Sequence, residues 1–161
     1  MSTAVPIIRE AGEGEQRWFS GGGTHTWKAT AEETGGAFLL FEDCMTEGKM
    51  TPLHLHPDAD EALFVLEGEI VVRIGDEERR VGVGGMTLAP RGVPHAFRVV
   101  SPIARMLDLQ TPGTGDTFYR NASTPVSADA EAVVDFANVQ EWAQRTGAVE
   151  ILGPPPFAAS Q

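Results

Sequence analysis

Thr51–Glu69 reads TPLHLHPDADEALFVLEGE, and the fold turns on how this stretch is read. It holds two histidines two residues apart, His54 and His56, and then Glu61 at the head of an apolar run. The whole chain has only 4 histidines, so two of them falling this close together asks for a reason. Side chains of a β-strand alternate between faces. His54 and His56 therefore share one face, with their backbones about 6–7 Å apart, while Leu53 and Leu55 take the other. Imidazoles placed in this way can converge on one ion about 2.0–2.2 Å from each. Pro57-Asp58-Ala59-Asp60 reads as a turn with Asp58 and Asp60 in solvent, and it delivers Glu61 to the next strand. If Glu61 faces inward with Leu63 and Val65, an isolated charge there is costly. A cation held by neutral imidazoles removes that cost.

A further histidine is aimed in the same manner. In APRGVPHAFRVV, His95 opens a strand after a turn fixed by Pro90, Gly92 and Pro94. Such a turn restricts the backbone and gives the side chain a rigid direction, which metal sites need. Three imidazoles and one carboxylate suit a borderline divalent transition ion: iron, manganese, nickel, cobalt, copper or zinc. Calcium, which takes oxygen ligands, is disfavoured.

Outward from these strands, apolar runs of five to eight residues continue from Ala37 to about Leu109, cut by glycine, proline and aspartate. Short strands with turn signals at this spacing predict an all-β sandwich or barrel. Glu67-Gly68 and Gly75-Asp76 are expected to be tight turns. Phe38-Leu39-Leu40-Phe41 is apolar on both faces and needs cover on both, which points to a homodimer. We therefore expect a flanking segment at 1–36, a barrel at 37–125, and a helix with an extended tail at 126–161. In the first flank, Trp18, Phe19 and Trp27 surround the flexible loop Ser20–Gly23. Trp27 is expected to begin an extra strand as a packing residue, and His25 to lie on the surface. In the last flank, Val133, Phe136, Val139 and Trp142 form an apolar stripe on a helix from Asp129 to Arg145, with Gly147 as its stop. The GPPPF that follows is expected to be extended, and to seal an edge or reach a partner.

The chain has 161 residues, enough for one sizeable core. Its net charge of −11 repels phosphate backbones and anionic membranes, so neither nucleic acid nor a membrane is an expected partner. A single cysteine, Cys44, excludes an intrachain disulfide and suits a reducing compartment. Cys44 is expected to be a buried bystander thiol. No run approaches the ~18 apolar residues of a membrane span. The first residues lack a secretion signal, so a cytoplasmic location is expected.

These residues resemble the two motifs of the cupin family. Gly48, His54, His56, Glu61 and Gly68 keep every spacing of the first motif, and Gly84, Pro90, Gly92 and His95 keep those of the second. The second motif often ends in asparagine where this chain has Val99; that position is not a ligand in the family. The resemblance implies a double-stranded β-helix, or jelly roll, with a short C-terminal helix and a metal inside. The family's ligands map to His54, His56, Glu61 and His95. The TPGTGDTFYR segment and the EILGPPP ending are similar to small single-domain cupins of the quercetin 2,3-dioxygenase type. That likeness implies a metal-dependent dioxygenase with Glu61 as both ligand and catalytic base, acting with dioxygen on a small organic substrate, flavonol-like or otherwise enolisable. The expected apolar pocket wall is Phe38, Met45, Met50, Phe97, Met106 and Phe118. Two other readings keep the site. One is a non-redox isomerase, cyclase, decarboxylase or dehydratase; the other is a ligand-binding cupin without turnover.

Overall fold

The computed structural model describes residues 3–129 and 132–158. The order of elements is β1 (Gln16–Phe19), β2 (Thr24–Ala29), β3 (Leu39–Thr46), β4 (Leu53–Leu55), β5 (Asp60–Glu67), β6 (Glu69–Ile74), β7 (Glu77–Gly82), β8 (Met86–Ala89), β9 (His95–Val99), β10 (Ile103–Thr111), α1 (Asp116–Asn121), β11 (Ser123–Pro125), α2 (Phe136–Thr146) and β12 (Glu150–Gly153). One sheet has seven strands in the order β11-β1-β2-β3-β10-β5-β8. The other has five, in the order β12-β4-β9-β6-β7. Every pairing is antiparallel, and together the sheets make a double-stranded β-helix.

Period-two alternation builds the interior. In β3, Leu39, Phe41, Asp43 and Met45 are buried. In β5 the buried positions are Glu61, Leu63 and Val65; in β10 they are Ala104, Met106, Asp108 and Gln110. Two apolar clusters result. One joins Trp27, Leu39 and Phe41 to Phe118, Tyr119, Val139 and Val149. The other joins Met45, Leu63, Val65, Ile70, Phe97, Val99 and Met106. Each such side chain, fully buried, contributes about 1.5–3 kcal/mol. The inward acids of β3, β5 and β10 fall between the clusters, so a polar band crosses the barrel between two dry layers.

The turns behave as their glycines require. Gly68 has φ +76°, and a Cβ there would lie 2.1 Å from the Ile103 carbonyl oxygen, so no other residue fits without the backbone moving. Gly75 turns β6 into β7. The loop Ser20–Gly23 joins β1 to β2, and Trp27 sits within β2 rather than at its start, buried as a packing residue.

Two local expectations differ from the structure. Cys44 is exposed, because its neighbours Asp43 and Met45 take the inward face of β3 and alternation sends it out. Helix α2 begins only at Phe136, where the Asp135 side chain accepts a hydrogen bond from the Asn138 backbone N–H as its N-cap. Val133 therefore lies outside the helix, and Phe136 is half exposed; Val139 and Ala143 carry the buried face. Of the longer helix expected from Asp129, residues 130 and 131 lie outside the described residues. Gly147 ends α2 in the left-handed conformation, as the sequence suggested. β12 then pairs with β4 and closes that edge of the five-stranded sheet. Among the described residues no helix is long and apolar enough to cross a membrane.

Candidate metal centre

His54 lies on β4, His95 at the start of β9, and the register sets them opposite one another. His56 follows β4, and Glu61 is the second residue of β5. All four are buried, and one ligand atom from each lies within 4.8 Å of the others. The ring centroids of His54 and His95 are 4.4 Å apart, and His56 is 5.3 Å from both. His56 Nε2 approaches Glu61 Oε1 at 3.3 Å, and His95 Nε2 approaches Glu61 Oε2 at 2.9 Å.

The hydrogen bonds on the far side of each ring fix what the near side can offer. Nδ1 faces a backbone carbonyl in all three cases: Pro52 for His54 at 2.8 Å, Ala148 for His56 at 3.1 Å and Val93 for His95 at 2.9 Å. A carbonyl only accepts, so each Nδ1 must carry the hydrogen and, in the neutral ring, each Nε2 presents a lone pair. Nε2 of His56 and of His95 are buried without a hydrogen bond of acceptable angle, although both are near Glu61. Lone pairs facing a carboxylate repel unless a proton or a metal cation lies between them. The donor set thus fits a divalent cation on its own geometry.

Charge follows the same pattern. Burial, with His95 alongside, pushes the His54 imidazole down to about 3, so this ring is neutral near pH 7. Burial opposes the charge on Glu61, but His56 and His95 outweigh it and hold the carboxylate well below the usual range. For His95, burial disfavours protonation, and the Glu61 carboxylate 2.9 Å away overcomes it to raise the pKa.

The cluster opens onto a cavity of about 60 Å³. Met45, Phe97 and Phe118, three of the six expected wall residues, line it together with His54 and Glu61. The other three do not. Met106 is sealed in the second apolar cluster, Phe38 is half-buried on the strand lead-in before β3, and Met50 bridges to Arg98 outside the cavity.

Several polar residues in or beside this cavity are new relative to the sequence expectation. His25, expected at the surface, is buried; its Nε2 lies 2.9 Å from Asp43 Oδ1, and its ring stacks between Phe19 and Phe41. Asp108 is buried against Glu61, and burial, then the charges of Glu61 and Asp43, push its carboxyl well up towards the protonated form. Gln110 donates from Nε2 to Glu61 Oε1 at 3.0 Å and to the Tyr119 hydroxyl at 2.6 Å. Strand alternation carried the signal for most of these. Phe41-Asp43-Met45, Met106-Asp108-Gln110 and His25-Trp27-Ala29 each put the polar residue on a face shared with apolar ones. Asp60, expected as a free turn residue, instead pairs with Arg91 at 3.0 Å.

Comparison with known proteins agrees with this geometry. The family profile described as "Cupin domain" matches residues 41–109. Quercetin 2,3-dioxygenase of Bacillus subtilis (strain 168) is 27% identical over 122 residues, which cover 76% of this chain and 36% of that protein. The chain thus spans little more than a third of that relative's length. Among solved structures, KdgF from a Halomonas species aligns with a TM-score of 0.59 at 21% identity, covering 68% of this chain and 94% of that one. An RmlC-like cupin from Shewanella frigidimarina aligns with a TM-score of 0.60 at 16% identity, covering 70% and 95%. A predicted oxalate decarboxylase from Thermotoga maritima aligns at 0.59 and 17% identity, covering 66% and 99%. At these identities the structures speak for the fold alone. Motif spacing and profile match agree that residues 41–109 carry a cupin domain, and the structural neighbours agree with the double-stranded β-helix around it.

Proposed function

We propose that the protein is a metal-dependent dioxygenase of the cupin type, acting on a flavonol-like or other enolisable aromatic or polyketide substrate. The observation that carries the reading is the buried set His54, His56, Glu61 and His95, with the Nε2 atoms of His56 and His95 facing Glu61 beside a largely apolar cavity. The likeness to a curated quercetin 2,3-dioxygenase supports the substrate type. A bound divalent ion of this class supplies Lewis acidity to an enol oxygen and, where redox-active, a route for electrons to dioxygen.

The chain's own residues supply the rest. Glu61 takes the enol proton. It is the only one of the four that is an anion, and His56 and His95 keep it ionised despite burial. Gln110 holds Glu61 Oε1 in place and is itself anchored on Tyr119. Asp108, kept towards its neutral form beside Glu61, is a hydrogen-bond donor to the carboxylate when Glu61 is charged and can share the proton when it is not. Met45, Phe97 and Phe118 form the apolar wall that excludes water from the aromatic part of the substrate.

Oxygen consumption tests the reading. Protein loaded separately with iron, manganese, nickel, cobalt, copper or zinc is expected to consume oxygen when quercetin is added, with loss of the flavonol absorbance, for at least one redox-active ion. No uptake with quercetin or any other enolisable flavonol, at any loading, contradicts it. Conversion that proceeds without oxygen would instead identify a non-redox enzyme.

We also propose that the protein is a homodimer. The outer face of β5 and β8 carries Phe64, Met86 and Leu88, each more than 40% exposed, with Phe64 opposite Met86 across the strands. Light scattering is expected to give twice the 17.3 kDa chain mass; a monomer at micromolar concentration contradicts this.

A further inference from the structure

The cavity has a second polar end that the four-residue cluster leaves unused. Lys49, in the turn between β3 and β4, is half-buried and reaches over the Ser20–Gly23 loop. Its ammonium donates to the Gly21 carbonyl and lies 5.8 Å from the centre of the Phe19 ring. An ammonium has three N–H donors, and among the described residues Gly21 is its one hydrogen-bond partner. Asp43, the nearest acid that acts on it, is turned to His25 instead, 2.9 Å from Nε2. Burial pushes Lys49 down to about 8, with Asp43 opposing, so it stays mostly charged at neutral pH. It is the one lysine or arginine among the described lining residues, and His54 and Glu61 line the same cavity. The same cavity is lined by apolar Phe19, Met45, Phe97 and Phe118 and by polar Thr51, Asp43 and Asp108.

We infer that this cavity selects ligands bearing an anionic group, a carboxylate or an ionised phenol, which Lys49 binds while the ligand's other end lies at the four-residue cluster. A half-buried ammonium with donors to spare gains a charge-assisted hydrogen bond from such a group, and a neutral analogue offers it much less. The substrate class is thereby narrowed to acidic, enolisable aromatic molecules. The enolisable part of that statement rests on the dioxygenase reading; the anionic part rests on Lys49 alone.

The test compares 2-naphthoate with 2-naphthamide by calorimetry, using chelator-treated protein so that no metal ion attracts the carboxylate. Native protein is expected to bind naphthoate at least tenfold more tightly than naphthamide, a factor in line with the ~1.5–3 kcal/mol of a hydrogen bond to a charged group. Lys49→Met is expected to abolish that preference and leave naphthamide affinity within twofold, while Lys49→Arg keeps it. Equal binding of the two probes by native protein overturns the inference, as does a preference undiminished in Lys49→Met or no binding of either probe. The native comparison needs no substitution, so a poorly folded variant does not obscure the result. Absence of oxygen uptake with quercetin would remove the dioxygenase reading and leave the naphthoate preference standing; the reverse outcome would remove only the role of Lys49.

Discussion

Replacing His95 with alanine is expected to weaken divalent-metal binding by about 10²- to 10³-fold. Apparent binding free energies of four-ligand zinc sites are about 10–16 kcal/mol, so one ligand in four accounts for roughly 2.5–4 kcal/mol. His95 stands opposite His54 across the β4–β9 pairing and touches Glu61 at 2.9 Å, so its loss opens one side of the cluster and leaves the other three in place. Glu61 retains His56 as a partner, and circular dichroism is expected to show a folded protein. Affinity measured by competition with a chromophoric chelator checks the effect, and a change under threefold would contradict it. The same titration has a pH dependence of known sign. Glu61 raises the His95 pKa against the effect of burial, so protonation of this ring competes with the ion. Affinity for the ion therefore falls as pH drops through and below that pKa, by up to about tenfold per pH unit for one proton, and levels off above it.

Glu61→Gln is expected to have the largest effect on turnover. The amide is nearly the same size and can keep a contact with Gln110, but it cannot accept a proton near neutral pH. Removing a positioned general base costs about 10²- to 10⁴-fold. The predicted loss is in the rate of quercetin-dependent oxygen uptake per bound ion, which separates the missing base from weaker ion retention. Uptake per ion within threefold of the native rate would show that Glu61 is not the base. Unchanged ligand affinity with no turnover in either protein would instead fit a binding protein.

The four cluster residues were legible because the signals for them are short-range. Alternation fixes His54 and His56 on one face, a proline-bounded turn presents Glu61, and a second rigid turn presents His95. The same alternation applied to FEDCM and RMLDLQ would have put Asp43 and Asp108 inside, and it would have sent Cys44 out. These residues were missed because acids and a thiol were judged by residue type rather than by face. His25 was misplaced because the neighbouring glycine loop suggested surface, while its strand partners Trp27 and Ala29 pointed inward. Other features depend on the chain returning from far away. The Ala148 carbonyl that orients His56 comes 92 residues later, and no local pattern announces it. Helix α1 spans six residues, too few for a 3.6-residue period to show, yet it carries Phe118 and Tyr119 into the core. The start of α2 was misjudged because Val133 continues the apolar spacing, whereas Asp135 supplies the cap that decides the boundary.

The central claim is that His54, His56, Glu61 and His95 together hold one divalent ion. Elemental analysis of protein purified without added metal, followed by titration of the chelator-treated form, tests it most directly. The account predicts one ion per chain, bound by the native protein and lost from the double variant His54→Ala, His95→Ala at the same free-ion concentration. Substoichiometric metal that no loading raises to one per chain, or full binding by the double variant, would contradict it.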